Sequence, residues 1–539
     1  IIENGKRETT DEDTNDVNIK GDLTIKGGGL ENNLTTAIGG SLSVDKENNT
    51  SGNFKNTGTL SVTKDTTVKT GTFDNSGSMI TGGSLDVDAS GKLTNSGIIQ
   101  AIIKEQARNE KSVNIKSQGL ENTGNMIFGG NTTINAGSGN ITNTKTRDKG
   151  SIEVSGDLSI ETTGDFTNSG KLQNTGELTL EAKDIKNEKD GVILNSGAEI
   201  TATGDITNAG KVESTGDLTI TGNKNLVNSG NIATTKNANI KIEQGNITNT
   251  GSIGAGQSKG EKEEVGNLDI STKKLENNDK GTIFGEKKVD IKVTEGFSNT
   301  TNAQIGGGEI YIDGKSSSLK EDFTNAGKVV SDGKLTIDLG NNNKNINIGD
   351  SGTIASQDTL TLITGGGISN AGKFQNIGSI DFQAGKDITN TGMLVSMGDI
   401  KLKGDNITNG NGTTGATIWS NQNVELNATK DIRNDVGSTI EAKQDINITA
   451  GQTLTNYGGS IKAGKNLKIN VNKLVNESIV DTGKVEIIPG RDKENVAYTG
   501  KYKFFWGVTD KWTHVSIKVP TININGSIKN AGTDRKSVV

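Results

Sequence analysis

Few residues in this chain have the chemistry for a reaction, and their spacing limits which reactions are open to it. There is no Cys, so thiolate nucleophiles, disulfides and thiolate zinc sites are all excluded. There is one His, His514, so any His-based triad would have to be built on that residue. It stands two residues after Trp512 in a strand-like run and reads as a solvated or packed side chain. Gly410-Asn411-Gly412-Thr413-Thr414-Gly415 fits the phosphate-cradling G-x-G-x-x-G pattern. That pattern needs a helix behind it to supply a positive end, and here a strand-like Ala416–Trp419 follows. It therefore reads as a turn-rich corner. Asp and Glu are spread along the whole chain, so a carboxylate pair at glycosidase spacing could arise wherever segments stack. No singular acidic cluster stands out. The Gly-rich stretches do not follow the calcium-binding nonapeptide. No catalytic, cofactor or metal residue is assigned, and a polysaccharide-degrading enzyme is kept as a rival reading.

One cluster has the makeup of a binding surface. Tyr498, Tyr502, Phe504, Phe505, Trp506 and Trp512 lie close together in a chain that is only 3% aromatic, with Lys501, Lys503 and Lys511 among them. Aromatics interleaved with cations are typical of recognition patches. Two runs, Tyr498–Trp506 and Trp512–Val519, have the pattern of a β-hairpin turning at Gly507-Val508-Thr509-Asp510, with Trp506 near Trp512. Local packing is the preferred reading, and contact with a receptor or glycan is the functional one.

The elements that position these residues come from a repeat. Gly164-Asp165-Phe166-Thr167-Asn168-Ser169-Gly170-Lys171-Leu172 is echoed by Gly204-Asp205-Ile206-Thr207-Asn208-Ala209-Gly210-Lys211-Val212. The same phrase returns around Asn228 and Asn249, at a period of about twenty residues. Within a unit the apolar residues are spaced by two, as in Leu158/Ile160 and Leu178/Leu180, which is the strand period. Gly, Asn, Asp and Ser punctuate the units and mark tight turns. Such a unit cannot bury its apolar face alone, but stacked on its neighbours it forms one narrow core. The expected fold is all-β, a single long parallel β-helix over residues 17–487 of about 20–24 coils. An Asn at a fixed corner tolerates a left-handed backbone, and its amide both donates and accepts. Asn168, Asn208, Asn228 and Asn249 are therefore expected to stack as a structural ladder.

Composition agrees. Hydrophobic residues are 29% of 539, too few for several conventional cores. The net charge of −7 is too balanced for a nucleic-acid binder. The 74 Gly come with only 2 Pro, which excludes collagen. The charged stretches Lys104–Lys111 and Gln257–Val265, and the shorter Asn-rich Asn341–Asn345, read as surface loops between coils.

The phrases Gly-Asp-Leu-Thr-Ile, Ile-Thr-Asn-Ala-Gly-Lys-Val and Leu-Thr-Asn-Ser-Gly, repeated over nearly the whole chain, resemble the filamentous haemagglutinin repeats. That family includes two-partner secretion exoproteins and the stalks of contact-dependent inhibition effectors. The resemblance implies a right-handed helix, export through an outer-membrane partner transporter barrel, and display on a Gram-negative cell surface. It implies a secreted adhesin shaft that meets a receptor or glycan on a host or neighbouring cell, with no nucleic acid and no small-molecule substrate. The stick of a contact-dependent toxin is an alternative. The family's secretion domain carries Asn-Pro-Asn, and neither Pro here follows Asn. A middle piece of a longer protein is expected, with residues 1–16 as an acidic lead-in, 488–521 as the aromatic excursion and 522–533 as a return of the repeat. Residues 534–539 carry no strand pattern, match a back-translated sequencing adapter, and are expected to be foreign.

Overall fold

The computed structural model describes residues 16–27, 29–45, 52–107, 110–147, 149–256 and 266–477, with the backbone alone of 3–4, 496–502 and 511–517. Parallel strands stack as a β-solenoid of about 21 turns, and there is no α-helix among the described residues. The coils fall into two units, residues up to Gly245 and residues from Asn246 onward.

In the first unit each coil has three strands. One coil is Phe166–Asn168, Lys171–Asn174 and Glu177–Ala182. The next is Ile185–Asn187, Val192–Asn195 and Gly197–Ala202. Each strand pairs in parallel with its counterpart one coil on: Phe166 with Ile185, Leu172 with Ile193, Leu178 with Ala198. The alternation in the sequence is what fixes the face. Phe166, Leu172, Leu178 and Leu180 are buried, while Lys171, Thr179 and Glu181 between them point outward. The interior is thin enough for rings on successive coils to touch. Phe54 and Phe73 stack at 4.3 Å between centroids.

The second unit has the same plan. Ile368–Asn370, Lys373–Asn376 and Ile380–Ala384 pair with Ile388–Asn390, Met393–Ser396 and Ile400–Gly404. Phe297 and Phe323 stack at 4.3 Å in its core. In both units some second strands depart from simple alternation, as Ile193 with Leu194 and Ile232 with Ala233 do in the first. Val329 and Val330 are both buried, as are Ile354 and Ala355, and Ile418 and Trp419. Val330 and Ala355 pack together, with Ile377 of the following corner against them. A small apolar seam therefore lies outside the main core.

The loop at 104–111 contains a 3-10 turn, Glu105–Ala107, and Lys111 reaches back to Asp65 at 2.7 Å. Residues 257–265 lie outside the described residues. The Asn-rich stretch 341–345 is tied in, because Asn342 Nδ2 donates to the carbonyls of Gly314, Ser316 and Leu339. Near the C-terminus Val496–Tyr502 and Lys511–Ile517 form an antiparallel pair, the hairpin read from the sequence. Tyr498 stands opposite Val515, Thr499 opposite His514, and Trp512 opposite Lys501. Phe504, Phe505 and Trp506 lie outside the described residues.

Candidate functional site

The repeated phrase Asn-x-Gly builds the corner between the first and second strands. In the first unit the side chains of Asn32, Asn56, Asn75, Asn95, Asn122 and Asn143 hand one hydrogen bond to the next, from Nδ2 to Oδ1, at 2.7–2.8 Å. The line continues from Asn143 to Asn168 (2.8 Å), Asn187 (2.9 Å), Asn208 (2.8 Å) and Asn228 (2.8 Å). All are buried. The second Nδ2 hydrogen points at backbone carbonyls, as from Asn187 to Lys211 O at 3.1 Å. The amide is thereby satisfied on both sides, which a buried polar group requires. Asn249 belongs to the second unit and donates to Asn277, which continues to Asn299 and Asn325.

The backbone of the corner explains the rest of the phrase. The carbonyl of Asn56 accepts both the Ser76 and Gly77 N–H groups of the next coil, at 2.8 and 3.0 Å. The Gly is then a matter of space. A Cβ on Gly97 would overlap the carbonyl oxygen of Gly77, and one on Gly230 that of Gly210. The Gly-Asp pair has a related logic. Asp184 Oδ1 accepts the Asp205 N–H of the next coil at 2.8 Å, and a Cβ on Gly204 would overlap that same oxygen. The Asp205 N–H, helped by Lys183, holds the Asp184 carboxyl below its ordinary value. Asp205, Asp217, Asp387 and Asp445 cap the amides of Asn225, Asn237, Asn406 and Asn466 in the same way.

A second polar line, not anticipated from the sequence, runs along the ends of the second strands. Ser331, Ser356, Ser396 and Ser420 donate to the carbonyls of Gly308, Gly333, Gly378 and Gly398, at 2.6–2.9 Å. Asn174 and Asn376 fill the same place by donating to Glu177 O and Ser379 O. A small polar residue before x-Gly marks it at Asn174, Ser331, Asn376 and Ser396, but not at Ser356 or Ser420.

The asparagine ladder breaks once within the second unit. Ile348 occupies the register position between Asn325 and Asn370. Asn370 Oδ1 is consequently buried with no partner. At the first described rung the same problem is solved differently, because Thr36 Oγ1 donates to Asn32 Oδ1 at 2.9 Å. From Asn370 the ladder resumes through Asn390, Asn409, Asn434, Asn456 and Asn476.

Surface charge is paired and mixed. Lys55 meets Glu31, Lys171 meets Glu153, and Lys430 meets Asp405. Solvent and salt screen exposed pairs of this kind, so they add little to stability. A groove of about 700 Å³ in the second unit is lined by Asn267, Asp269, Lys287, Lys288, Glu309 and Asp332. Burial against its walls raises Asp269, with Asp290 adding to it, and burial raises Asp332. Lys288 is held at Asp290 by a 2.6 Å ion pair. Among the described residues no group of three or more His, Cys, Asp or Glu is placed to hold a metal ion. The G-x-G-x-x-G stretch lies between Ile407–Asn409 and Thr417–Ser420 with Gly410 buried and residues 411–415 exposed, and it has no helix behind it. Of the aromatic cluster, Tyr498, Tyr502 and Trp512 lie on the paired strands of the hairpin.

The family model described as the haemagglutinin repeat matches residues 8–97, 106–210, 198–259, 264–319 and 423–484, more than half of the chain. No curated protein matches, and no solved structure matches.

Proposed function

The chain belongs to the haemagglutinin-repeat family, and from that premise we propose that it is the non-catalytic shaft of a secreted adhesin or exoprotein. Such repeats are typical of secreted, surface-associated exoproteins. The observation that carries the proposal is where the recurring residues go. Most of the recurring residues are engaged in stacking one coil on the next: Asn amides bond to each other, Gly residues admit a neighbouring carbonyl, and Asp carboxylates such as Asp184 cap the next coil. The outward positions on the strands vary freely from coil to coil, as in Thr167, Lys186, Thr207 and Val227. A scaffold with recurrent stacking and variable outward positions presents a long surface without building a reaction centre.

The corresponding partners are an outer-membrane transporter barrel for export and a receptor or glycan on a facing cell. The aromatic hairpin is the candidate contact, through Tyr498, Tyr502 and Trp512. The test is binding of the purified chain to cells and to a glycan array, beside an assay for polysaccharide cleavage. The proposal expects saturable binding and no cleavage. Cleavage that disappears in Asp269→Asn or Asp332→Asn would replace the shaft with an enzyme.

A further inference from the structure

The chain contains Asn-Gly pairs at 4–5, 409–410, 411–412 and 525–526, the dipeptide most open to cyclisation because Gly leaves its own amide nitrogen unshielded. Residues 5, 525 and 526 lie outside the described residues. The other two pairs are adjacent in sequence and differ in setting. Asn409 is a rung of the ladder and is 1% exposed. Its Oδ1 accepts from Asn390 and its Nδ2 donates to Asn434, both at 2.8 Å. The Gly410 N–H donates to Asn390 O at 2.7 Å. Both reacting groups are thus held in coil-to-coil bonds.

Asn411 is exposed at the start of the loop that follows. Gly412 has φ +81° and open space around its Cα. The Asn411 side chain folds forward along the chain, and its Oδ1 accepts from Thr413 N–H (3.0 Å), Thr413 Oγ1 (3.0 Å), Thr414 N–H (2.8 Å) and Thr414 Oγ1 (3.0 Å). The side chain thereby spans residue 412, whose nitrogen is the one that would attack Cγ. The four donors surround the oxygen on which negative charge develops when the nitrogen adds to Cγ, as an oxyanion hole does.

We infer that Asn411 is a site of self-catalysed modification, deamidating through a cyclic imide, while Asn409 beside it is protected by the ladder. The Gly412 amide loses its proton to water and its nitrogen bonds to Asn411 Cγ, placing charge on Oδ1. The tetrahedral carbon then breaks its bond to Nδ2, which takes a proton from water and leaves as ammonia. One water adds to either carbonyl of the imide ring, giving aspartate or isoaspartate at 411. The net change is water in and ammonia out, with one new negative charge on the loop and, in the isoaspartate product, one more atom in the backbone.

The experiment incubates the full chain in mildly alkaline buffer and follows each Asn-Gly peptide by mass spectrometry, with urea-unfolded chain in parallel. Conversion at Asn411 is expected at least about tenfold faster than at Asn409, because ring closure at Asn409 requires its coil to open first. In the unfolded chain the two rates should converge. Equal rates in the folded protein would overturn the inference. A Thr413→Val/Thr414→Val variant keeps the backbone donors and removes the hydroxyls. It should convert several-fold more slowly, and an unchanged or faster rate would show that the loop stabilises no charge and is no built site.

Discussion

Replacing Ile348 with Asn should be tolerated, whereas replacing Ile346 with Asn in the same short strand should not. Both isoleucines are buried and both belong to the strand Ile346–Ile348. Removing either forfeits about 1.5–3 kcal/mol of apolar burial. At position 348 the loss is offset. A new amide there would lie between Asn325 Nδ2 and Asn370 Oδ1, in the register the strands already hold. Satisfying the orphaned Asn370 oxygen recovers about 1–3 kcal/mol, and a bond from Asn325 adds about 0.5–1.5 kcal/mol. The net change should fall within about 1–2 kcal/mol of zero. At position 346 the strand above offers Phe323 and the strand below Ile368. The amide would find no partner, and the total loss should reach about 3–5 kcal/mol. Solenoids unfold locally, so the assay is amide hydrogen exchange across residues 323–370, read coil by coil. Ile346→Asn should exchange at least tenfold faster than Ile348→Asn, at about 1.4 kcal/mol per factor of ten. Equal damage from the two substitutions would refute the claim that the ladder is a line of energetically coupled amides.

Gly204→Ala should destabilise its coil, since the new Cβ overlaps Asp184 Oδ1, and combining it with Asp184→Ala should cost less than the sum of the two, as a double-mutant cycle of denaturation measurements would show. Glu213 is buried, and burial raises its carboxyl above the ordinary value. Its folded form therefore binds the proton more tightly than the unfolded chain does, so its contribution to stability falls as pH rises through the carboxylate range. Glu213→Gln keeps the acceptor used by Asn231 and should stabilise the coil at neutral pH, with the difference vanishing below the ordinary carboxylate value; urea titrations at both pH values check this. Ile206→Asp places an unpaired charge in the thin core, and exchange should rise at the neighbouring coils and fade by residues 23–44.

The period and the strand alternation carried most of the fold. Leu158/Ile160 and Phe166 declare their face in the sequence because a thin core admits only inward apolar residues. The rungs at Asn168, Asn208, Asn228 and Asn249 were legible for the same reason, since each is followed by x-Gly and the same corner. Asn143, Asn277, Asn299 and Asn434 were not, although they are rungs too. Their corners are longer, and the left-handed residue is not always Gly: Arg147, Asp279 and Asn302 have φ of 52°, 53° and 70°. The Asn-x-Gly phrase is lost there while the rung remains. The Ile348 break is visible only as a double step from Asn325 to Asn370. The outer seam of Val330, Ala355 and Ile377 was hidden, because two adjacent apolar residues in a strand say nothing about which one faces a corner. In the aromatic segment the hairpin was legible from two β-prone runs around a turn, and its register, Trp512 against Lys501, was not.

The central claim is that successive repeats lie one strand apart in a fixed parallel register, and the absence of Cys makes cross-linking its most direct test. Lys186 and Thr207 are in register on adjacent strands, and Val227 is one coil further. Adjacent rungs stand about 4.8 Å apart and alternate ones about 9.6 Å. A short bifunctional thiol reagent should therefore join Lys186→Cys to Thr207→Cys rapidly within one chain, and leave Lys186→Cys with Val227→Cys largely unjoined. Equal joining of the two pairs, or joining of the second alone, would contradict the stacked-coil account.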